Sequence, residues 1–407
     1  MAITDKEKGV WGLDQVYNKI NQGSIWEYSG AAGGFWAWGK NTIGYLAQND
    51  TVNRSSSVQI PGTTWNFPPS TSGGNSIIMT KTDGTLWSWG YNYLGGLGHN
   101  QGPGQLTGLS SPAQIGSGTN WDTSYSYQGI GAAINTSAEL WMWGDGRNGE
   151  LGQNESLNGA PGWGGPSNLR KSSPVQVPGT TWSTLSVSAA PAVYGVKTDG
   201  TLWVWGYGFI GQLAQNNQVN YSSPVQIPGT TWAYAKGSSA NGAAVKTDGT
   251  LWMWGRNPAG QLGQNSTDST NTGRSSPVQV DGTTWKTDER GFAVANENAY
   301  GIKTDGTLWA WGKNVFGQLG QNNKTYYSSP TQIPGTTWKT VSSAYAPGSP
   351  CVIATKTDNT AWGWGDNEAG RLGLNSETQY SSPVMIPGNW TYAQLTTGAF
   401  SFGEKIL

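Results

Sequence analysis

The tetrad Trp-x-Trp-Gly occurs seven times in this chain, with its first Trp at Trp36, Trp87, Trp141, Trp203, Trp252, Trp309 and Trp362. A second block follows each tetrad, as in SSPVQVPGTTW at 172–182 and SSPVQIPGTTW at 222–232. A third block, KTDGTLW, leads into the tetrad at 81–87, 197–203, 246–252 and 303–309, with KTDNTAW at 356–362 and the divergent NTSAELW at 135–141. A seven-times repeated unit of this length is one supersecondary element that buries its apolar face against its neighbours.

Each repeat reads as short strands joined by turns. TLWxWG alternates with period two, which puts its two Trp side chains on one face. Asp-Gly in KTDGT and Pro-Gly in the second block are turn signals. Seven small sheets stacked around an axis form a seven-bladed β-propeller, an all-β architecture that leaves only short, protected edges. The first tetrad, FWAWG at 35–39, has no hairpin before it, whereas GAFSFGEKIL at 398–407 follows the last block. The first blade is therefore expected to close the ring with strands from both chain ends.

Composition excludes several functions. Only 12% of the residues are charged and the net charge is −1, which leaves no basic footprint for nucleic acid. One histidine, His99, and one cysteine, Cys351, leave little room for zinc, Ser-His or Cys-His chemistry or a disulfide framework. His99 is expected at the surface, and Cys351 as a small buried hydrophobe. No apolar run is long enough to span a membrane, and the first thirty residues lack a signal-peptide core. No cofactor, metal or catalytic residue is predicted. The GxGxxG matches at 144–149 and 206–211 fall in the WGxNxxGQLG frame and read as repeat turns, not a dinucleotide site. The Asp series Asp83, Asp199, Asp248, Asp305 and Asp358 recurs once per repeat and reads as turn chemistry.

KTDGTLWSWGYNYLGGLG (81–98) and KTDGTLWAWGKNVFGQLG (303–320) resemble the repeat of the regulator-of-chromosome-condensation family of β-propellers, over roughly residues 35–407. The resemblance implies the propeller fold and, in common among members as different as exchange factors, a plant ultraviolet receptor and a β-lactamase inhibitor, the presentation of loops to a protein partner.

The repeats differ in length at two junctions. From the Leu of the GQLG-type turn to the next block the spacings are 9, 13, 21, 9, 13, 9 and 9 residues. From the block Trp to the next Lys, or to Asn135 in the third repeat, they are 16, 14, 15, 14, 18 and 18. Insertions confined to two junctions should map to defined rims of the disc, often the binding face. The longest, 155–171, nominates Leu157, Trp163, Asn168, Arg170 and Lys171 as partner-binding residues. Residues 1–30 form a separate docking segment ahead of the propeller at 31–407. There Leu13, Val16, Tyr17 and Ile20 fall at helical spacing, and with Trp11 they make an apolar stripe predicted to anchor the chain. This opening resembles the first residues of tail, fibre and other virion proteins of marine tailed bacteriophages.

Together these readings predict a virion structural or adhesion protein, a tail-fibre, receptor-binding or capsid-decorating component made in the host cytoplasm. Its partners would be other virion proteins and a host surface protein or glycan, without nucleic acid or membrane insertion, with a homo-oligomer in the virion as an option. The alternative is a regulatory protein-interaction propeller of the exchange-factor or inhibitor type.

Overall fold

The computed structural model describes residues 34–405 apart from 63, 67–75, 157–168, 189, 269–272, 296, 347–348 and 396–399. The described residues form seven antiparallel sheets. Blade four is representative: Trp182–Val187, Ala192–Lys197, Leu202–Gly206 and Tyr221–Ile227 follow one another across the sheet. Its third strand is the tetrad, and its fourth is the SSPVQI block. Blade two has three described strands, and the isolated pair Trp65–Lys81 stands where the others begin their first strand.

First strands lie against first strands of neighbouring blades: Trp182–Val187 contacts both Trp121–Tyr127 and Trp232–Gly237, and Trp338–Ala346 contacts Phe292–Val294 and Trp390–Leu395. They line the axis. Fourth strands are only partly buried and form the rim. The core lies between blades. Seven apolar clusters fill seven interfaces, among them Val177 and Leu185 between blades three and four, and Ile353 and Leu395 between seven and one.

Blade one closes the ring. Its strand order is Arg54–Gln59, Gly34–Gly39, Phe400–Lys405 and Trp390–Leu395, two strands from each end of the chain. The register is that of the other blades: Trp36 faces Gly403 and Trp390 faces Lys405, as Trp203 faces Gly195 and Trp182 faces Lys197 in blade four.

The second Trp of the tetrad explains the stacking. Trp38, Trp89, Trp143, Trp205, Trp254, Trp311 and Trp364 are all buried, each removing about 150–250 Å² of mostly apolar surface. Each indole Nε1 donates to a backbone carbonyl in the turn of the preceding blade, from Tyr45, Gly96, Glu150, Gln212, Gln261 and Gln318 at 2.6–2.9 Å, and from Arg371 at 3.2 Å. The last of these, from Trp38, joins blade one to blade seven. One residue type thus supplies packing and a buried hydrogen bond at every junction.

Candidate interaction face

Antiparallel order decides which loops share a face. The turns between second and third strands, and those from fourth strand to the next blade, lie on one side of the disc. The first-to-second and third-to-fourth connections lie on the other. The two kinds of length variation fall at these latter connections, with one exception in blade six.

The first side is nearly uniform. In five blades the Asp of KTDGT or KTDNT accepts the Thr amide at 2.9–3.0 Å and the Thr hydroxyl at 2.6–2.7 Å. These hydrogen bonds hold the five exposed carboxyls below their ordinary range, which is turn capping and not paired-carboxylate chemistry. The same Thr hydroxyl accepts the first tetrad Trp at 2.7–3.0 Å. The Lys of the motif lies between that Trp and the Trp of the PGTTW turn. Lys81, Lys197, Lys246, Lys303 and Lys356 each sit over two indoles at 3.9–5.1 Å from the ring centroids. Blade three substitutes Asn135, whose Oδ1 accepts the Ser137 and Glu139 amides at 3.0 Å.

The opposite side varies. It carries the enlarged connection at 98–109, the described ends of those at 155–171 and 266–274, and the longest hairpin, Trp338–Ala346 with Ser349–Lys356. Of the predicted loop residues, Lys171 opens the fourth strand of blade three and pairs with Glu155 at 3.3 Å. That exposed pair contributes little. Arg170 beside it has a buried Nε–H with no acceptor among the described residues. Leu157, Trp163 and Asn168 lie outside the described residues, as do Trp11, Leu13, Val16, Tyr17 and Ile20 of the anchor. The structure therefore brings together only Arg170 and Lys171.

The frame of each third-to-fourth connection is locked by Asn41, Asn92, Asn257, Asn314 and Asn367, whose Oδ1 accepts the amide of the Leu five residues on at 2.8–3.1 Å. Gly146 and Gly208 replace this Asn in the two GxGxxG stretches. A Cβ there would stand 2.4 Å from the Leu169 carbonyl oxygen and 2.0 Å from that of Val219. Close backbone approach, not a nucleotide, explains those glycines. His99 is part-buried, its Nε2 3.0 Å from the Ser88 hydroxyl, and burial lowers its pKa; Cys351 is buried, its thiol pushed up to about 11 by that burial.

Two charged sites escaped the sequence reading. Glu150 stands where blades four to six carry Gln212, Gln261 and Gln318. Its carboxylate accepts the Asn148 amide at 2.7 Å, and burial followed by the charge of Asp145 pushes its pKa up to about 8. Asp145 itself is held by Arg147 through bonds of 2.7 and 2.6 Å. The second site corrects the expectation that all insertions emerge at a rim. In blade six the extra residues follow Trp285, inside the start of the first strand, and reach into the axis. The Arg290 guanidinium lies 4.2 Å from the ring centroid of Tyr392 in blade one. Lys236 of blade five donates to the Phe292 carbonyl at 2.9 Å. Its pKa is lowered to about 8 by burial, against the opposing pull of Glu289. The 18-residue spacing signalled the insertion but not its direction.

No group of three or more His, Cys, Asp or Glu side chains among the described residues is placed to hold a metal ion. No helix among them is long and apolar enough to cross a membrane.

Residues 199–235, 248–287 and 305–346 match the regulator of chromosome condensation (RCC1) repeat. Human protein RCC2 is 35% identical over 89 residues, 22% of this chain, and the chain spans only 17% of that protein's length. The ultraviolet-B receptor UVR8 of Arabidopsis thaliana is 22% identical over 370 residues, covering 86% of this chain and 77% of the receptor. The crystal structure of Prp20p from Saccharomyces cerevisiae superposes with a TM-score of 0.73 at 17% identity, covering 93% of this chain and 92% of that one. At that identity the likeness is one of fold. The chain is a seven-bladed β-propeller carrying RCC1 repeats.

Proposed function

We propose that this chain is a protein-interaction propeller of the regulatory kind, which binds a partner through the variable face. The observation that carries the reading is the segregation of repeat differences. One face repeats the same capped turns five times, while enlarged connections gather on the other, with an Arg170 whose Nε–H has no acceptor among the described residues. A scaffold that holds loops at fixed positions and varies them on one side is suited to recognition. The relatives support a regulatory setting: one is an ultraviolet-B receptor, and yeast Prp20p binds Gsp1p and histones.

The narrower virion reading differs only in the partner. It rests on the stripe Trp11, Leu13, Val16, Tyr17 and Ile20, and it predicts that deletion of 1–22 leaves the propeller folded but abolishes its incorporation into particles.

Photo-crosslinkers at Gln101 on the variable face and at Asp199 on the uniform face test the main reading. A partner crosslinked from Gln101 alone is expected. Crosslinks confined to Asp199 would contradict it.

A further inference from the structure

Within the frame Trp-Gly-x-Asn-y, most positions have a job common to the blades: the Trp joins neighbouring blades, the Asn locks the loop, and the following Gly packs on the next blade's Ser. Positions x and y have none. Along the seven blades x passes through Lys, Tyr, Asp and Arg, and y through Thr, Tyr, Arg, Phe, Pro, Val and Glu. Both lie at the end of the third strand, on the variable face. Since the fold does not dictate these identities, they are free to serve recognition.

We infer that the sector of blades two to five at these positions is the docking surface for an acidic protein partner, an inference that rests on the proposed function and narrows it. Blade two presents Tyr91 and Tyr93 stacked at 5.8 Å and 21°. Blade four presents Tyr207 and Phe209 edge-on at 5.3 Å and 81°. All four rings are part-buried, so they are held in place yet still offer a surface. Between them, in blade three, the same two positions hold a buried Asp145–Arg147 pair that compensates itself.

The charge of the sector is not compensated. Arg256 occupies x in blade five, beside the second aromatic pair. Among the described residues its Nε–H and that of Arg170 are buried without an acceptor, and neither guanidinium forms an ion pair. Three cations elsewhere on the face are paired internally: Arg54 with Asp50 at 2.7 Å, Lys313 with Glu297, and Arg371 with Glu368 at 3.7 Å. Lys40 and Lys324 are exposed and have no aromatic pair beside them at x and y. Rigid aromatics beside unpaired guanidinium groups are the side chains that anchor protein interfaces. A carboxylate from the partner completes the missing hydrogen bonds in a geometry that suits Arg better than Lys.

The test selects binders from random dodecapeptides displayed against the intact chain. The expected peptides are enriched in Asp and Glu. The one recovered most often binds at least tenfold more weakly to Tyr93→Ala/Phe209→Ala, and to Arg256→Ala with a flatter salt dependence. Tyr93→Phe keeps binding, as do Thr42→Ala and Val315→Ala at the y position of blades one and six. Melting temperatures confirm that each variant is folded. Peptides poor in acids, or equal losses at Thr42 and Val315, overturn the inference. So does an oligothymidylate that binds with the same residue dependence, since the ligand would then be phosphate. Peptides that map to the variable face outside this sector sink the inference alone; peptides that map to the uniform face sink the proposed function as well.

Discussion

Replacing Glu150 by Gln should stabilise the protein at neutral pH and destabilise it in acid. The carboxyl is buried in the turn whose backbone carbonyl receives Trp205, and its pKa stands at about 8 against 4.5 for an ordinary glutamate. A carboxyl with a raised folded pKa imposes no penalty below pH 4.5, where both states are protonated. As pH rises, the unfolded chain ionises first, so stability falls until the folded group ionises near pH 8. At 1.36 kcal/mol per unit, the interval from 4.5 to pH 7 is worth about 3 kcal/mol. Gln fits because the equivalent Gln212, Gln261 and Gln318 each accept the amide two residues earlier at 2.9–3.0 Å, as Glu150 does from Asn148. The second contact, from the Asn148 side chain at 2.6 Å, loses its acceptor and offsets about 1 kcal/mol. The Nε2 of Gln gains no acceptor, as in Gln212, Gln261 and Gln318 among the described residues, and offsets about 1 kcal/mol more. This leaves a net gain of about 1 kcal/mol at pH 7 and a net loss of about 2 kcal/mol at pH 4. Urea unfolding followed by Trp fluorescence at pH 4, 5.5 and 7 measures it. A stability difference independent of pH, or a variant weaker than wild type at pH 7, would refute the reasoning.

Two further predictions follow from the two faces. Lys197→Ala removes a cation from between Trp182 and Trp203 and should lower stability by about 1 kcal/mol, read as a lower urea midpoint at unchanged slope; Lys197→Arg should recover most of it. Replacing 157–168 by the short connection of blade four should leave the melting temperature nearly unchanged, since loop length costs little, while partner binding falls; undiminished binding would remove this loop from the recognition surface.

The sevenfold period was enough to read the propeller, its closure and the role of the Asp turns, because each follows from a local motif repeated at fixed spacing. Arg170 and Lys171 were reached through an insertion length. The lysines between indoles were not legible, although Lys stands six residues before the tetrad Trp in five repeats. The second indole comes from the first strand of the same blade, which only the sheet register brings alongside. Glu150 was visible as an acid in a Gln position, but its burial depends on the neighbouring blade. The blade-six insertion was legible as a length and not as a direction, since a spacing cannot say whether extra residues leave a strand at its end or at its start. The chemistry of Tyr91, Tyr93, Tyr207 and Phe209 emerges only when seven repeats are compared position by position on one face.

The ring itself is tested most directly by hydrogen exchange of the Trp indole N–H groups, followed in nitrogen-15 spectra and assigned by single Trp→Phe substitutions. Both faces exist only if blade one joins blade seven, and the Trp38 indole crosses that junction to the Arg371 carbonyl at 3.2 Å. In a closed ring Trp38 exchanges as slowly as Trp89, Trp143, Trp205, Trp254, Trp311 and Trp364. Six protected indoles with Trp38 exchanging freely would show the ring open at its seam and contradict the account.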